Sequence, residues 1–443
     1  MELKLKKLIC LLCFLTVFAG GFEGSFSAGR VSVLAAESDE TVTEKEREFR
    51  AVWIAYYDFG VSHYSNAADF TTYVNEMFDN AVAMGMNAVV VHVRPFSDAM
   101  YKSKYYPWSV YASGKQGVDP GYDPLEIMVE EAHARDLEIH AWLNPYRITP
   151  KYTLTEEEKT ATPLMQKTSL AKRLLSKKNP ARKWLSNKTT KDDRRVIAYQ
   201  AQLYYNPAIP EVQQLIINGV KEIVENYDVD GIHFDDYFYP AFTKETYQTI
   251  FDAPEYNAYV KERTAAGKTV VSIDRWRKDN VNTLVKKVYK AIKKIDPDCI
   301  FGISPGGFID YYKNDYFRWY VDYETWMSKP GYIDYICPQL YWSFNTQNTC
   351  PYYETLLKWE EALKCDSVKL YVGLPAYKMN TRSTVSSSWG NDSEWYNQFT
   401  LANMITVARE TGKTDGFIFF DYADIVAERN KKAMDYVIKL WDE

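Results

Sequence analysis

Apolar residues recur along the chain with two different periods, and segments of the two kinds follow one another. Short runs with a period of two predict strands, and longer runs with apolar residues three and four positions apart predict helices. The predicted strands are residues 50–58, 88–96, 138–146, 231–237, 299–307, 332–342, 370–377 and 416–422. The predicted helices are residues 68–84, 124–135, 211–226, 280–295, 315–327, 352–363, 395–411 and 423–441. Strands that alternate with helices run parallel, so eight such units predict an α/β fold of the (β/α)8 type, a TIM barrel.

Two of the connections that follow predicted strands are long. Residues 147–210 follow the third strand and include a predicted hairpin at 196–205, and residues 238–280 follow the fourth strand. Connections that follow strands lie at the C-terminal face of a TIM barrel, where active sites are built. We therefore expect long loops on that face to shape a cleft.

The N-terminal residues have the pattern of a secretory signal. Lys4, Lys6 and Lys7 precede the apolar residues 8–18, and the small-residue sequence VLAA at 33–36 precedes an acidic stretch. This predicts a signal peptide at 1–36, a disordered leader at 37–48 and a TIM-barrel domain at 49–443. A membrane anchor is disfavoured because the apolar run is too short to span a bilayer comfortably. We expect a secreted or cell-wall-associated protein without stable membrane insertion after signal removal.

Composition narrows the range of partners. The chain has 443 residues, of which 46% are hydrophobic and 25% charged, which is ordinary for a globular protein. Its net charge of −6 does not suggest a nucleic-acid partner. Aromatic residues make up 16% and provide flat faces suited to stacking on sugar rings. Four cysteines follow residue 36, their spacing fits no zinc motif, and a bridge between Cys350 and Cys365 is left open.

One segment of the third connection is strongly basic. It contains Lys172, Arg173, Lys177, Lys178, Arg182, Lys183 and Lys188. Such a segment suits contact with an acidic polymer, but a solvated helix face is the commoner reason for it, and we favour that interpretation.

Alternate residues of the predicted strands should point into the barrel. This rule selects Trp53, Ala55, Tyr57, His92, Arg94, His140, Trp142, Asn144, His233, Asp235, Gly302, Ser304, Gln339, Tyr341 and Asp421. Buried polar groups need partners, and a hydrogen-bonded network explains any single one of them. The convergence of so many at one mouth predicts an active site there.

The fourth predicted strand ends in two adjacent carboxylates, Asp235 and Asp236. Paired carboxylates in a cleft lined with aromatic rings suit glycoside hydrolysis, in which one protonates the leaving oxygen and the other is nucleophile or base. A metal-dependent hydrolase that uses His92, His140, His233 and Asp235 is the alternative, although no two histidines have ligand spacing. A non-catalytic carbohydrate-binding barrel is a third reading, but it would not need paired acids.

Several ordered motifs resemble those of the glycosyl hydrolase-like family ten. They are RAVWI at 50–54, VHVRP at 91–95, GKQG at 114–117, PGYDPL at 120–125, HAWLNPYR at 140–147, YNP at 205–207, DGIHFDDYFY at 230–239, WRKDNV at 276–281, GISP at 302–305 and PQLYW at 338–342. The resemblance covers about residues 48–440. It implies a secreted or lipid-anchored bacterial TIM-barrel glycosidase, and family members with an assigned role act on cell-wall glycan strands.

A weaker resemblance is to the alpha-amylase-type barrels, whose fourth strand ends in Asp-Gly-aromatic-Arg-x-Asp with the last Asp as nucleophile. Residues 230–235 are similar except that His233 replaces the Arg. This implies that Asp235 is the nucleophile or base. Those enzymes carry their acid after the fifth strand, where this chain has SPGG at 304–307. Asp236 is therefore the first candidate for proton donor, followed by Asp274, Asp310 and Asp421.

The expected substrate is a polysaccharide, most of all peptidoglycan glycan, with no cofactor and no metal. Sugar contacts are expected from Arg94, His140, Trp142, Asn144, Arg147, Tyr205, His233, Arg277, Gln339, Tyr341, Trp342 and Asp421. Among them, Trp142, Tyr205 and Trp342 are expected to stack on sugar rings. For Arg147 and Arg277, hydrogen bonds that anchor a loop are an equally good explanation.

Overall fold

The computed structural model describes residues 47–186, 194–240, 251–310, 319–346, 350–381 and 393–441. Its strands are β1 (Phe49–Ile54), β2 (Ala88–Arg94), β3 (Glu138–Leu143), β4 (Val196–Tyr199), β5 (Gln202–Tyr205), β6 (Gly231–Asp235), β7 (Ile300–Ser304), β8 (Tyr335–Ile336), β9 (Lys369–Leu374) and β10 (Gly416–Phe419). Eight of them pair in parallel in chain order, and β10 pairs with β1, so the sheet closes. The antiparallel pair β4–β5 stands apart from the barrel. The predicted (β/α)8 TIM barrel is confirmed.

The helices are α1 (Ala67–Ala83), α2 (Val110–Ser113), α3 (Pro124–His133), α4 (Glu156–Thr160), α5 (Pro163–Leu174), α6 (Pro180–Ser186), α7 (Pro210–Asn226), α8 (Ala253–Ala265), α9 (Ile273–Ile295), α10 (Tyr323–Ser328), α11 (Tyr352–Ala362), α12 (Thr400–Thr411), α13 (Tyr422–Ile425) and α14 (Lys431–Lys439). Capping residues fix several of their starts. Asp123 precedes α3 and accepts hydrogen bonds from the N–H groups of Leu125 and Glu126, and Pro124 occupies the first turn, where its missing N–H costs nothing.

The period of two in the strands creates two separate cores. On β2, Val89, Val91 and Val93 face outward and join the large cluster between the barrel and its helices. Val90 faces inward and joins a cluster that fills the lower barrel: Phe49, Ala51, Trp53, Ala55, Ala88, Val90, Trp142, Tyr335, Cys337, Tyr371 and Ile418. Because this plug closes the barrel from below, ligands can reach the interior only from the C-terminal face.

One glycine is required inside this plug. A β-carbon added at Gly302 on β7 would fall within the ring of Tyr335 on β8. The absence of a side chain at that position therefore lets the tyrosine cross the barrel and place its hydroxyl beneath the site described below.

Four predicted elements differ from the structure. The sixth strand is short, because β8 ends before Pro338, which has no N–H, and two isolated bridges from Gln339, to Gly306 and to Gly373, continue the pairing. The last predicted helix is two helices, α13 and α14, separated by a turn that the Asn430 amide fixes by donating to Asp424 O at 2.9 Å. The predicted helix 280–295 begins earlier, at Ile273, because Ser272 caps it. The predicted helix 395–411 begins only at Thr400, after a separate 3-10 turn.

Some predictions fall on residues that the structure does not describe. The signal peptide and leader residues up to 46 lie outside the described residues, as do 315–318 of the helix predicted after the fifth strand, whose described part forms α10. Within the described ranges no helix has the length and apolar character needed to cross a bilayer. No disulfide joins Cys350 to Cys365 in this part of the chain.

The predicted hairpin at 196–205 is confirmed as β4 and β5, which turn at Gln200 and Ala201, both with positive φ. The Ile148 N–H donates to Leu203 O at 2.9 Å. This bond fastens the hairpin to the chain that leaves β3, beside the mouth of the barrel.

Candidate active site

A cavity of about 390 Å³ opens at the C-terminal face of the barrel. It is lined by Trp53, Ala55, Tyr56, Tyr57, His92, Trp142, Asn144, Arg147, Asp235, Tyr237, Ser304, Gln339, Tyr341, Tyr377 and Phe420. All eight barrel strands, or the residues that directly follow them, contribute to this set. The predicted residues Asp235, Trp142, Asn144, Arg147, Gln339 and Tyr341 are brought together here.

Asp235 lies on the cavity wall at the end of β6, and its side chain is almost fully buried, at 2% exposure. Its Oδ1 accepts a hydrogen bond from the Tyr237 N–H at 3.3 Å, and Oδ2 is buried without a partner among the described residues. Burial, and secondarily the negative charge of Asp236, raise the pKa of Asp235 to about 8. Arg147, the Tyr237 N–H and the Trp142 indole oppose this rise without cancelling it. The carboxyl group is therefore mostly protonated at neutral pH.

Asp236 is buried as well, but it points elsewhere. Its Oδ2 accepts a hydrogen bond from the Gly306 N–H at 2.8 Å, on the chain that leaves β7. Consecutive residues at a strand end face opposite ways, and Asp236 is not among the residues that line the cavity. Its contribution to the site is the negative charge it places beside Asp235.

Arg147 supplies the positive charge of the cavity. Its guanidinium group lies over the ring of Phe96 at 5.2 Å and over that of Tyr237 at 4.7 Å. Aromatic faces attract a cation without using its N–H groups. Among the described residues no carboxylate forms an ion pair with Arg147, so its donors remain available to a ligand in the cavity.

One wall of the cavity has buried polar atoms without partners in the described part of the chain. His92 stacks on Trp142 with ring centroids 3.7 Å apart, and neither imidazole nitrogen has a hydrogen-bond partner among the described residues. Burial holds the pKa of His92 well below its usual range, so the ring is neutral. The Asn144 amide donates to Pro95 O at 3.1 Å and leaves its own oxygen unused. Leaving such groups unpaired is costly, so they mark positions where a polar ligand would gain hydrogen bonds.

His140 and His233 are not among the residues that line the cavity. The Tyr335 hydroxyl lies between them, 3.0 Å from His140 Nδ1 and 2.8 Å from His233 Nδ1. His233 Nε2 is also hydrogen-bonded to Ser304 Oγ at 2.9 Å and accepts from the Trp53 indole at 3.2 Å. These rings form a hydrogen-bonded floor under the cavity.

The metal alternative finds no support in this geometry. Its four residues are divided between the floor and the wall, and the ring nitrogens of His233 are already engaged. In the ranges that the structure describes, no three His, Cys, Asp or Glu side chains come close enough together to hold an ion.

Arg94 and Arg277 are not among the residues that line the cavity, and of the two only Arg277 forms an ion pair in the described part of the chain. Arg277 is fully buried in an ion pair with Asp252 and donates to the Tyr320 hydroxyl at 2.8 Å. Arg94 is buried over the ring of Tyr106, with 4.9 Å between guanidinium carbon and ring centre. Neither guanidinium reaches the cavity, because each has been drawn into a pocket behind the barrel mouth.

The remaining predicted contacts also lie behind the cavity wall. Tyr205 is fully buried with its hydroxyl bonded to Ser97, so it cannot stack on a sugar. Trp342 packs edge-on against Phe308 at 4.7 Å. Asp421 is not among the lining residues but accepts a hydrogen bond at 2.6 Å from the hydroxyl of Tyr57, which lines the cavity.

Two of the reserve candidates for proton donor are excluded by position. Asp274 accepts a hydrogen bond from the Tyr320 hydroxyl at 2.9 Å, and Asp310 forms an ion pair with Lys358 at 2.5 Å. Neither carboxylate lines the cavity.

Sequence reasoning missed Tyr56, Tyr237, Tyr377 and Phe420, which supply much of the aromatic lining. Each belongs to a predicted strand, but at positions where the chain has already left the sheet and the period of two no longer applies. The available signal was the concentration of aromatic residues directly after strands. Tyr237 and Tyr377 are 42% and 36% exposed, so they offer ring faces at the rim.

Comparisons with known proteins agree with this architecture. The model of the family described as glycosyl hydrolase-like 10 matches residues 48–391. The glycosyl hydrolase YngK of Bacillus subtilis strain 168 is 38% identical over 384 residues, which are 83% of this chain and 68% of that protein. The glycosyl hydrolase DigH of Escherichia coli K12 is 32% identical over 381 residues, which are 83% of this chain and 79% of that protein.

Solved structures share the fold. The glycoside hydrolase domain of PgaB (BpsB) from Bordetella bronchiseptica superposes with a TM-score of 0.51 at 11% identity, covering 87% of this chain and 98% of that one. A beta-galactosidase from the psychrophilic Marinomonas ef1 superposes with a TM-score of 0.53 at 10% identity, covering 89% and 59%. At such low identity these matches describe the barrel and not its substrate.

Proposed function

The chain belongs to the glycosyl hydrolase-like 10 family and is a glycoside hydrolase, and from this premise we propose that it is secreted and cleaves the glycan strands of bacterial peptidoglycan. The family resemblance and the N-terminal secretion pattern support this substrate and location. An open cavity of about 390 Å³ with exposed tyrosines at its rim suits a polysaccharide whose neighbouring sugars extend beyond the cavity.

The observation that carries the proposal is a buried carboxyl group, Asp235, with a pKa of about 8 in a cavity lined by aromatic rings. A glycosidase needs an acid that is still protonated at working pH so that it can protonate the departing glycosidic oxygen. We therefore assign Asp235 as this proton donor. The sequence suggested the reverse, with Asp235 as nucleophile or base and Asp236 as acid, but the burial that favours the protonated form of Asp235 could not be read from its position in the chain.

Asp236 and Asp421 divide the remaining carboxylate roles in this proposal. Asp236 keeps Asp235 protonated through its negative charge and is held in place by the Gly306 N–H. Asp421 acts as the second carboxylate, since it accepts a short hydrogen bond from the hydroxyl of Tyr57, a cavity residue. Through this bond Asp421 can accept a proton from the tyrosine hydroxyl as that hydroxyl takes one from an attacking water.

Substrate contacts in the proposal come from the residues with unused polar atoms. Arg147 binds a carboxylate or polar substituent of the sugar, for which its planar fork is apt. Asn144 Oδ1 binds a hydroxyl or acetamido group, because it is buried and lacks a partner among the described residues. Gln339 and Tyr341 complete the opposite wall.

The test is digestion of purified cell-wall glycan strands, with and without stem peptides, followed by mass analysis of the products. Wild-type protein should release defined fragments, and Asp235→Asn should lower the rate by at least ~100-fold, the scale of a lost general acid. Asp298→Asn is a matched control, because this exposed carboxylate lies before β7, at the other end of the barrel. Full activity in Asp235→Asn would remove this residue from the mechanism, and intact strands after wild-type treatment would exclude the substrate.

A further inference from the structure

A second cavity, of about 460 Å³, lies on the long connection between β3 and β6. Its lining residues are Lys177, Arg182, Lys183 and Ser186. Among the described residues that line it, three of the four are cationic and none is acidic, on a chain with a net charge of −6. The cations come from α6 and from the turn that precedes it.

The surrounding segment extends this positive surface. Residues 161–186 contain seven lysines and arginines and no aspartate or glutamate. Lys167 Nζ donates to Val196 O at 2.8 Å, Arg173 pairs with Glu158 at 2.8 Å, and Arg182 Nη1 donates to Leu175 O. We call the five cations other than Lys167 and Arg173 the basic surface: Lys172, Lys177, Lys178, Arg182 and Lys183.

The basic surface lacks compensating charge within the described part of the chain. None of its five cations forms an ion pair there, whereas other surface lysines, such as Lys159 and Lys431, pair with a neighbouring carboxylate on their own helix. Five like charges on α5, α6 and the turn between them repel one another unless counterions or a ligand neutralise them. The sequence favoured a solvated helix face for this segment. That interpretation does not explain why three of these cations line one cavity.

The basic surface is attached firmly to the wall of the active-site cavity. The Asn179 amide donates to Ser97 O at 2.6 Å, and its oxygen accepts from the Ala181 N–H at 3.0 Å at the start of α6. Ser97 directly follows Phe96, whose ring lies under the Arg147 guanidinium. These contacts connect the start of α6 to Arg147, which lines the cavity.

We propose that the basic surface binds a linear anionic polymer through repeated phosphate or carboxylate groups. Its cations are spread over the end of α5, the following turn and α6, which suits charges repeated along a chain better than one compact anion. Arginine and lysine both bind phosphate and carboxylate, arginine through its planar fork and lysine as a point charge. The binding would keep the enzyme on an anionic glycan or on a polyanion mixed with it, independently of the chemistry at Asp235.

The experiment measures binding of fluorescently labelled polyphosphate and polyglutamate to the whole protein at low salt. Wild-type protein should bind at least one of them, with an affinity that falls steeply as salt rises. The triple variant Lys177→Gln, Arg182→Gln, Lys183→Gln should bind about 100-fold more weakly, at about fivefold for each cation removed. The matched control, Lys287→Gln, Lys290→Gln, Lys294→Gln, removes three exposed lysines from one face of α9 and should bind within twofold of wild type.

The possible outcomes distinguish phosphate from carboxylate groups as the ligand and also show when the proposal fails. Binding of polyphosphate alone or polyglutamate alone supports the proposal and identifies the group. Three results would overturn the proposal. They are an equal loss of affinity in both triple variants, equally tight binding of neutral dextran, and binding of anionic lipid vesicles with no binding of either polymer. Hydrolysis of short soluble glycan by the Lys177 triple variant should match wild type, so a failure of the proposed hydrolysis is recorded separately from a failure of binding.

Discussion

Replacing Asp235 by Asn should make the protein more stable at neutral pH while removing its activity. The folded pKa of Asp235 is about 8, whereas an aspartate in the unfolded chain titrates near ~3.9. Between these values the folded protein keeps a proton that the unfolded chain has already lost. Unfolding is therefore favoured as pH rises, and the wild-type protein loses stability through this range.

The magnitude follows from the width of the range. Each pH unit between the two pKa values changes the free energy of unfolding by about 1.36 kcal/mol. At pH 7 the interval above the unfolded pKa is about 3 units, so Asp235 should reduce stability by ~4 kcal/mol. Asparagine has nearly the same shape and can still accept the hydrogen bond from the Tyr237 N–H, but it carries no charge to bury. Its advantage over wild type should be small near pH 4 and reach several kcal/mol at pH 8.

The assay is denaturant unfolding of wild type and Asp235→Asn at pH 5, 6, 7 and 8, comparing the free energies of unfolding. Asp58 and Asp98 also have pKa values raised, to about 7 and about 6, but they titrate in both proteins and cancel in the difference. Asp298→Asn should show no such trend. A difference that stays constant with pH, or an Asn variant that is less stable throughout, would refute the reasoning that Asp235 is buried as an acid.

Two further predictions concern the charge beside Asp235 and the floor of the barrel. Hydrolysis of natural glycan should decline above pH 8 as Asp235 loses its proton. Because Arg147 lowers the pKa of Asp235, Arg147→Gln should move that decline to higher pH. An unchanged or lower midpoint in the pH–rate profile would contradict the assignment of Asp235 as proton donor. Gly302→Ala should destabilise the protein by ~1–3 kcal/mol in thermal unfolding, because the added carbon would enter the space of the Tyr335 ring, and stability equal to wild type would contradict that packing.

The barrel could be predicted because its signal is local and repeated. Val89, Val91 and Val93 mark the outward face of β2 in the sequence itself, and the same period recurs in the other strands. The lengths of connections and the residues at strand ends then place Asp235 and Trp142 at one mouth. The period fails where the chain leaves the sheet, so Tyr377 and Phe420 could not be recognised as lining residues.

Site residues were harder to predict because their roles depend on partners that are distant in the chain. Arg277 lies in the motif WRKDNV and was predicted to contact sugar, but it is buried in an ion pair with Asp252. His233 lies only two residues before Asp235, yet the Tyr335 hydroxyl holds it in the floor. The protonation of Asp235 depends on how completely the barrel encloses it, and no spacing in the sequence measures enclosure.

The most direct test of the central claim, that Asp235 donates the proton, compares two substrates in the Asp235→Ala variant. Natural glycan needs its leaving oxygen protonated, whereas a dinitrophenyl glycoside of the same sugar leaves without a proton. We predict that the variant loses nearly all activity on natural glycan and retains substantial cleavage of the dinitrophenyl glycoside. Loss of both activities to the same extent would contradict the claim and return Asp235 to the role of nucleophile or base.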